Sequence, residues 1–260
     1  MPGKTLSAWV SEGTKPEVLY WVGCAASFDD RAQRVARAFT KLLDKAGVTW
    51  GILGTEESCT GDPAKRAGND FLFQMLALQN IQTLNAYEVK TIVATCPHCF
   101  NTLRNEYPPL GGNYEVWHHS QYLSHLIQTG RLQVDEAVSP DGMVVYHDPC
   151  YLGRGNGEYE APREILRRAG AQLREAPRSK DFALCCGAGG AQMFKEPEPG
   201  HKDINIERTE ELLALNPDRI AVACPFCMTM ITDGTKHAGV HGKVPVQDIA
   251  EYLAQRLGLI

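Results

Sequence analysis

Nine cysteines, placed in two matching sets, constrain this 260-residue chain more than any other feature. An apolar strand pattern over Val18–Val22 runs into Gly23-Cys24, and a second over Met143–Tyr146 runs into His147-Asp148-Pro149-Cys150. Thirty-four residues separate each lead cysteine from a matched loop. In the first half the loop is Cys59-Thr60-Gly61-Asp62-Pro63; in the second it is Cys185-Cys186-Gly187-Ala188-Gly189. Each half then has a buried-type strand pattern, Thr91–Thr95 or Arg219–Ala223, ending in Cys96-Pro97-His98-Cys99 or Cys224-Pro225-Phe226-Cys227. The halves are offset by 126 residues at the first two landmarks and by 128 at the CxxC, and all nine cysteines fall on landmarks. Chance supplies a single CxxC easily but not this register, so the chain reads as a duplication.

Between landmarks the pattern alternates strand and helix. Arg31–Ala46 places Val35, Phe39, Leu42 and Leu43 on one face at helical spacing, and Asp70–Leu84 repeats this with Leu72, Met75, Leu76, Leu78 and Leu84. Pro162–Ala169 and Ile206–Leu215 are their second-half counterparts. A third strand signal follows each CxxC, at Tyr114–Trp117 and Lys243–Val246. Strands separated by helices imply βαβ units with parallel sheets covered on both faces. The expected fold is therefore α/β, with two tandem βαβ-type lobes related by a pseudo-twofold. Residues 1–16 read as a loose N-terminal arm, 17–132 as the first lobe, 133–142 as a linker and 143–260 as the second lobe.

The composition closes off other classes. A formal charge of −5 is too mild to argue for nucleic acid or an anionic membrane surface. No apolar core of a signal peptide stands in the first twenty residues. The uncharged run Phe71–Tyr87 is broken by Gln74, Gln79, Asn80, Gln82 and Asn85, so no membrane span is expected. A cytoplasmic chain is the expectation, and there nine cysteines point to metal or redox chemistry rather than to a disulfide framework.

A CxxC at a strand-to-helix junction holds two thiolates close enough to chelate one metal, with helix N–H groups favouring their charge. The second half offers five candidates: Cys150, Cys185, Cys186, Cys224 and Cys227. Five exceed the four that tetrahedral zinc accepts and the one per iron of a cubane cluster. The surplus suggests an unusual iron–sulfur cluster or a spare redox thiol. The first half offers Cys24, Cys59, Cys96 and Cys99, because Thr60 stands in the place of Cys186. Four suits zinc or an ordinary cluster. Gly187, Gly189 and Gly190 would let the backbone approach and donate N–H to sulfur; without a GxGxxG they make a poor phosphate loop. A thioredoxin-like CxxC and purely structural zinc are the bland alternatives.

The duplicated pattern Cys-x34-Cys-Cys-Gly-x36-Cys-x2-Cys resembles the cysteine-rich CCG-domain family, whose members include iron–sulfur subunits of heterodisulfide reductase and of anaerobic glycerol-3-phosphate dehydrogenase. The resemblance runs from about Pro16 to the C-terminus. It implies a noncubane [4Fe–4S] cluster on Cys150, Cys185, Cys186, Cys224 and Cys227, which would be both ligands and catalytic groups, with Gly187 beside them. It implies an oxidoreductase subunit handling electron transfer or disulfide reduction. The Thr60 departure leaves a second cluster, a simpler one, zinc or nothing open for the first lobe. The chain has no ferredoxin cysteine run and no flavin or nicotinamide fingerprint. A ferredoxin-, flavin- or quinone-linked partner is therefore expected, and any membrane association would come through it. The rival is a non-catalytic, zinc-stabilised scaffold subunit of a dehydrogenase complex.

Other side chains carry weaker signals. His98 and His147 flank cysteines and could touch a cluster or only pack; His118-His119 read as a helix start at the surface. Asp148-Pro149 reads as the turn that aims Cys150. Arg163, Arg167 and Arg168 read as a solvated face or a docking patch, and Met193-Phe194 as an apolar rim or core.

Overall fold

Val18, Leu19, Tyr20 and Trp21 are each no more than 2% exposed, and an apolar run buried on both faces belongs inside a parallel sheet. That sheet lies in the first of two units, Met1–Leu132 and Gln133–Ile260, into which the chain divides. The computed structural model describes residues 3–134, 141–196 and 199–260; most of the expected linker, at 135–140, lies outside them. The first unit runs α1 (Leu6–Ser11), β1 (Val18–Trp21), α2 (Gly23–Phe28), α3 (Asp30–Lys45), β2 (Trp50–Gly51), α4 (Asp62–Arg66), α5 (Asp70–Ala86), β3 (Thr91–Ala94), α6 (Pro97–Asn101), β4 (Glu115–His118) and α7 (His119–Gln128). Its strands lie in the order β2-β1-β3-β4, all parallel, with Leu19 opposite Ile92 and Ile92 opposite Val116.

The second unit repeats the plan with β5 (Met143–Tyr146), α8 (Glu160–Arg168), β6 (Gln172–Arg174), α9 (Ile204–Leu213), β7 (Arg219–Val222), α10 (Pro225–His237), β8 (Val246–Asp248) and α11 (Ile249–Arg256). Its order is β6-β5-β7-β8, again all parallel. The α/β class and the two similar parallel-sheet lobes expected from the repeat are what the chain forms. Among the described residues no helix is long and apolar enough to cross a membrane.

Local chemistry sets the helix ends. Asp29 caps α3 by accepting from Ala32 N–H, and Asp248 caps α11 by accepting from Ala250 N–H. His118 does the same for α7, its Nδ1 against Ser120. His118 and Asp248 are last residues of strands, so β4 and β8 pass directly into helices. His118 and His119 are fully buried, Phe39 and Phe100 packing against them, which corrects the surface reading of that pair. The stripe expected on α5 is also rotated. Phe73, Ala77, Asn80, Ile81 and Leu84 face inward, whereas Leu72, Met75 and Leu78 are exposed and Phe71 is 76% exposed. An all-round apolar helix gives periodicity too little contrast to choose a face.

The chain ahead of β1 is tied down rather than loose. Thr5 bridges to Ile52 and Leu6 is buried, so α1 covers the edge beside β2.

The basic run on α8 divides as well. Arg163 is 0% exposed and grips two carboxylates with paired bonds, Asp148 at 2.7 and 2.9 Å and Glu175 at 2.7 and 2.8 Å. Asp148 Oδ2 also accepts from Lys180 N–H at 2.8 Å, so one buried carboxylate ties the turn before Cys150 to the segment leading to Cys185. Breaking a buried pair leaves an uncompensated charge, at roughly 3–5 kcal/mol. Chemical denaturation should therefore show Arg163→Met losing about that much stability. Arg167→Met, on a side chain 56% exposed, should stay within about 0.5 kcal/mol.

Candidate metal centre

In a parallel sheet every strand ends on the same side, and loops from those ends gather functional groups. Cys150 lies in the turn after β5, Cys224 follows β7 as the N-cap of α10, and Cys227 sits one turn along that helix. Pro225 opens the helix, where its missing N–H costs nothing. Cys185 and Cys186 arrive in the loop between β6 and α9.

The five second-lobe thiols form an unbroken path. The Cys186 and Cys227 sulfurs lie 3.2 Å apart, and the thiols of Cys150 and Cys185, Cys185 and Cys186, and Cys227 and Cys224 are neighbours that shift one another's acidity. Cys186, Cys224 and Cys227 are buried, while Cys150 and Cys185 are partly open to solvent. No disulfide joins any of the nine cysteines. Proton sharing splits their acidities. The bonds from Cys150 and Cys186, helped by Gly187 N–H, hold the Cys185 thiol far below its usual range. Cys150 is raised by its bond to Cys185 and by burial, and Cys186 is pushed up to about 12, chiefly by its bond to Cys185. Each thiolate discourages the next, which is the situation a multivalent metal group relieves.

The first lobe repeats the arrangement with one substitution. The thiols of Cys24 and Cys59, and of Cys96 and Cys99, are again neighbours that shift one another's acidity. Thr60 occupies the position of Cys186 in space as in sequence: its hydroxyl lies 4.0 Å from Cys99 Sγ, matching the Cys186–Cys227 contact. The bond from Cys24 brings the Cys59 thiol down to about 7.

The glycine after each cysteine loop is required by its backbone. Gly61 and Gly187 both have φ of +89°, and each donates its N–H to the sulfur two residues earlier, at 3.5 Å from Cys59 and 3.3 Å from Cys185. The CCG signature thus encodes a left-handed turn that aims an amide at sulfur. Gly190, with φ of +67°, serves the turn that follows. Beyond it Phe194 is exposed and stands at right angles to Phe226, the residue inside the second CxxC, with ring centroids 6.2 Å apart. Met193 is half-buried and Phe194 exposed, so the pair is not core.

Asn80, Tyr107, Glu57 and Arg208 had no sequence signal strong enough to find them, whereas His98 and His147 carried a weak one. Asn80, fully buried on α5, donates to the carbonyl of Cys59 at 3.0 Å and to the Tyr107 hydroxyl, which donates in turn to the Thr60 carbonyl at 3.2 Å. Glu57 accepts from Val22 and Gly23 N–H at 3.0 and 2.6 Å, beside Cys24, and burial pushes its carboxyl up to about 7. His98 is held by Asp62 at 3.0 Å. His147 is fully buried, a ring nitrogen lying within 4.8 Å of the Cys186 and Cys227 sulfurs, and its Nδ1 accepts from Arg208 Nε–H at 3.0 Å. Burial, then the Arg208 charge, brings its pKa down to about 3.

Two tandem parallel-sheet lobes, each gathering a cysteine set at its strand ends, define a class of duplicated cysteine-rich α/β proteins. The chain belongs to the cysteine-rich domain (CCG) family, whose model matches residues 18–104 and 144–232. It is 47% identical over 248 residues to an EtfAB:quinone oxidoreductase of Syntrophomonas wolfei, covering 93% of this chain and 34% of that protein. It is 44% identical to FadF of Bacillus subtilis, a probable iron-sulfur-binding oxidoreductase, covering 96% and 35%. With a subunit of the dihydromethanophenazine:CoB–CoM heterodisulfide reductase of Methanosarcina barkeri it shares 34% identity, covering 97% and 63%. The chain thus spans about a third of the first two relatives and under two thirds of the third.

The two glycines separate strain from crowding. Gly187→Ala should cost about 1–2 kcal/mol from the left-handed backbone alone, since its added Cβ would come no nearer than 3.4 Å to Ile204. Gly61→Ala should cost more, because its Cβ would stand 2.9 Å from the Phe73 ring and 3.3 Å from the Phe73 backbone. Denaturation of the two variants side by side checks that order.

Proposed function

We propose that this chain is an iron–sulfur redox module of an oxidoreductase complex, with a noncubane [4Fe–4S] cluster on Cys150, Cys185, Cys186, Cys224 and Cys227. The continuous path of five thiols, three of them buried, is the observation that carries the reading. Soft thiolates select iron–sulfur clusters and zinc, and five exceed what four-coordinate zinc uses. Gly187 N–H already points at one sulfur, as a negatively charged sulfur set requires. A cluster bound there would store and pass single electrons.

The chain's own residues arrange the rest. Buried Cys186, Cys224 and Cys227 keep water from one side, and half-buried Cys150 and Cys185 leave the other side reachable by a redox partner or a disulfide substrate. Phe194 packs its exposed ring against Phe226, inside the second CxxC, and so sets an apolar group beside that motif. Arg163 and Asp148 fix the Cys150 turn so that the thiol need not move when charge changes. The names of the relatives favour an EtfAB- or quinone-linked electron path or a disulfide as the second reactant. A cytoplasmic site and catalytic use of the five cysteines are part of the same proposal.

For the first lobe, Cys24, Cys59, Cys96 and Cys99 make a four-thiol set whose fifth place is filled by the Thr60 hydroxyl. A hydroxyl does not give a soft thiolate at neutral pH. Zinc or a simpler cluster in a structural or relaying role suits that set.

Iron and acid-labile sulfide of protein purified without oxygen test this. Cys185→Ala and Cys186→Ala should each lose most second-lobe iron, because assembly depends on the whole ligand set. Both variants keeping full iron with an unchanged spectrum would refute the five-thiolate site. Thr60→Cys should raise iron per chain and add an EPR signal; stoichiometry equal to wild type would mean Thr60 does not limit the first site.

A further inference from the structure

His147 directly follows β5 beside the second-lobe thiols, its N–H on the Ala221 carbonyl at 2.9 Å and its ring fully buried. Together with Cys186 and Cys227 it makes a compact trio of soft donors that invites reading as three metal ligands. The hydrogen bonds around the ring decide otherwise. Nδ1 receives the Nε–H of Arg208 at 3.0 Å. A guanidinium has five N–H groups and no acceptor, so Nδ1 must present its lone pair and cannot carry a proton. In a neutral imidazole the proton then sits on Nε2. One nitrogen has spent its lone pair on Arg208 and the other has none, so neither is free to bind a metal.

Nε2 has no protein acceptor although it is buried. A buried N–H left without a partner is costly, and such a group calls for an explanation. Arg208 is itself held in place: it is fully buried on α9, with Nη1 donating to Glu211 and to the Arg178 carbonyl at 2.9 Å each. At the matching position of the first lobe, 126 residues earlier, stands Trp21. Its indole Nε1 can only donate, and it too is buried without a protein acceptor. Both lobes thus carry an unspent ring N–H where the same strand ends.

We infer that His147 is not a ligand but a fixed N–H donor to sulfur of the second-lobe cluster, its tautomer set by the Glu211–Arg208 relay. This rests on the iron–sulfur reading of that lobe. An added electron makes cluster sulfurs more negative, and a preset N–H stabilises that form more than the oxidised one. His147 therefore raises the reduction potential. Arg208 acts through it as a positioning residue.

The test uses the full chain, purified and loaded with iron and sulfide under anaerobic conditions. His147→Phe removes both ring nitrogens while keeping an aromatic ring. It should retain wild-type iron and sulfide, while its midpoint potential moves to more negative values. His147→Gln, whose amide can accept from Arg208 and donate from the same plane, should restore the potential toward wild type. Loss of iron in a folded His147→Phe protein would mean ligation and overturn the inference, as would an unchanged potential. Wild-type protein labelled with 15N-histidine gives an answer independent of any variant's folding. Pulsed EPR should show a weakly coupled nitrogen and a proton that exchanges in D2O; the strong coupling of a directly bound nitrogen would contradict the donor role. Absence of iron and sulfide from wild type would instead refute the cluster reading itself.

Discussion

Several sulfur atoms confined in a largely dry space form the constraint to which the rest of this molecule answers. Each thiolate opposes the next, and isolated buried charges cost several kcal/mol apiece. The arrangement is stable when a positive multivalent group shares the sulfurs and when surrounding N–H groups face them. The scaffold supplies such groups in order: Gly187 N–H on Cys185, Ala188 N–H on Cys186, and the buried ring of His147. A parallel sheet suits the task, because its strand ends deliver turns from distant parts of the sequence to one place.

The two lobes show how much of this is scaffold and how much is site. Strand order, parallel sense and the left-handed glycine are common to both. The side chains at equivalent positions are not. Asp148 and Arg163 form a buried pair in the second lobe, where the first has Val22 and exposed Arg37. Glu57 anchors the Cys24 turn where the second lobe has Ala183. Thr60 replaces Cys186, and a hydroxyl–sulfur contact replaces a sulfur–sulfur one. The lobes share a frame for holding thiols but hold them with different neighbours, as expected if one copy kept a five-thiol site and the other a simpler one.

The central strands were legible because buried parallel strands are continuous apolar runs, and the cysteines were legible because their register repeats. Edge strands β2 and β6, of two and three residues, were not, since so short a pattern has no period. The inward face of α5 was misread because apolar residues surround that helix on all sides. The charged interior was hidden for a different reason. Arg163, Asp148, Arg208 and Asn80 look like surface residues in a sequence, and burial of a charged side chain depends on partners many positions away: Arg208 meets His147 across 61 residues. Periodicity reports which way a side chain points, not what waits to pair with it.

Diffraction at the iron absorption edge, from crystals of anaerobically purified protein, tests the central claim most directly. Anomalous peaks for several iron atoms enclosed by Cys150, Cys185, Cys186, Cys224 and Cys227, with His147 Nε2 facing sulfur rather than iron, are the expected result. A single zinc atom on four of those cysteines, with the fifth thiol free, would contradict it.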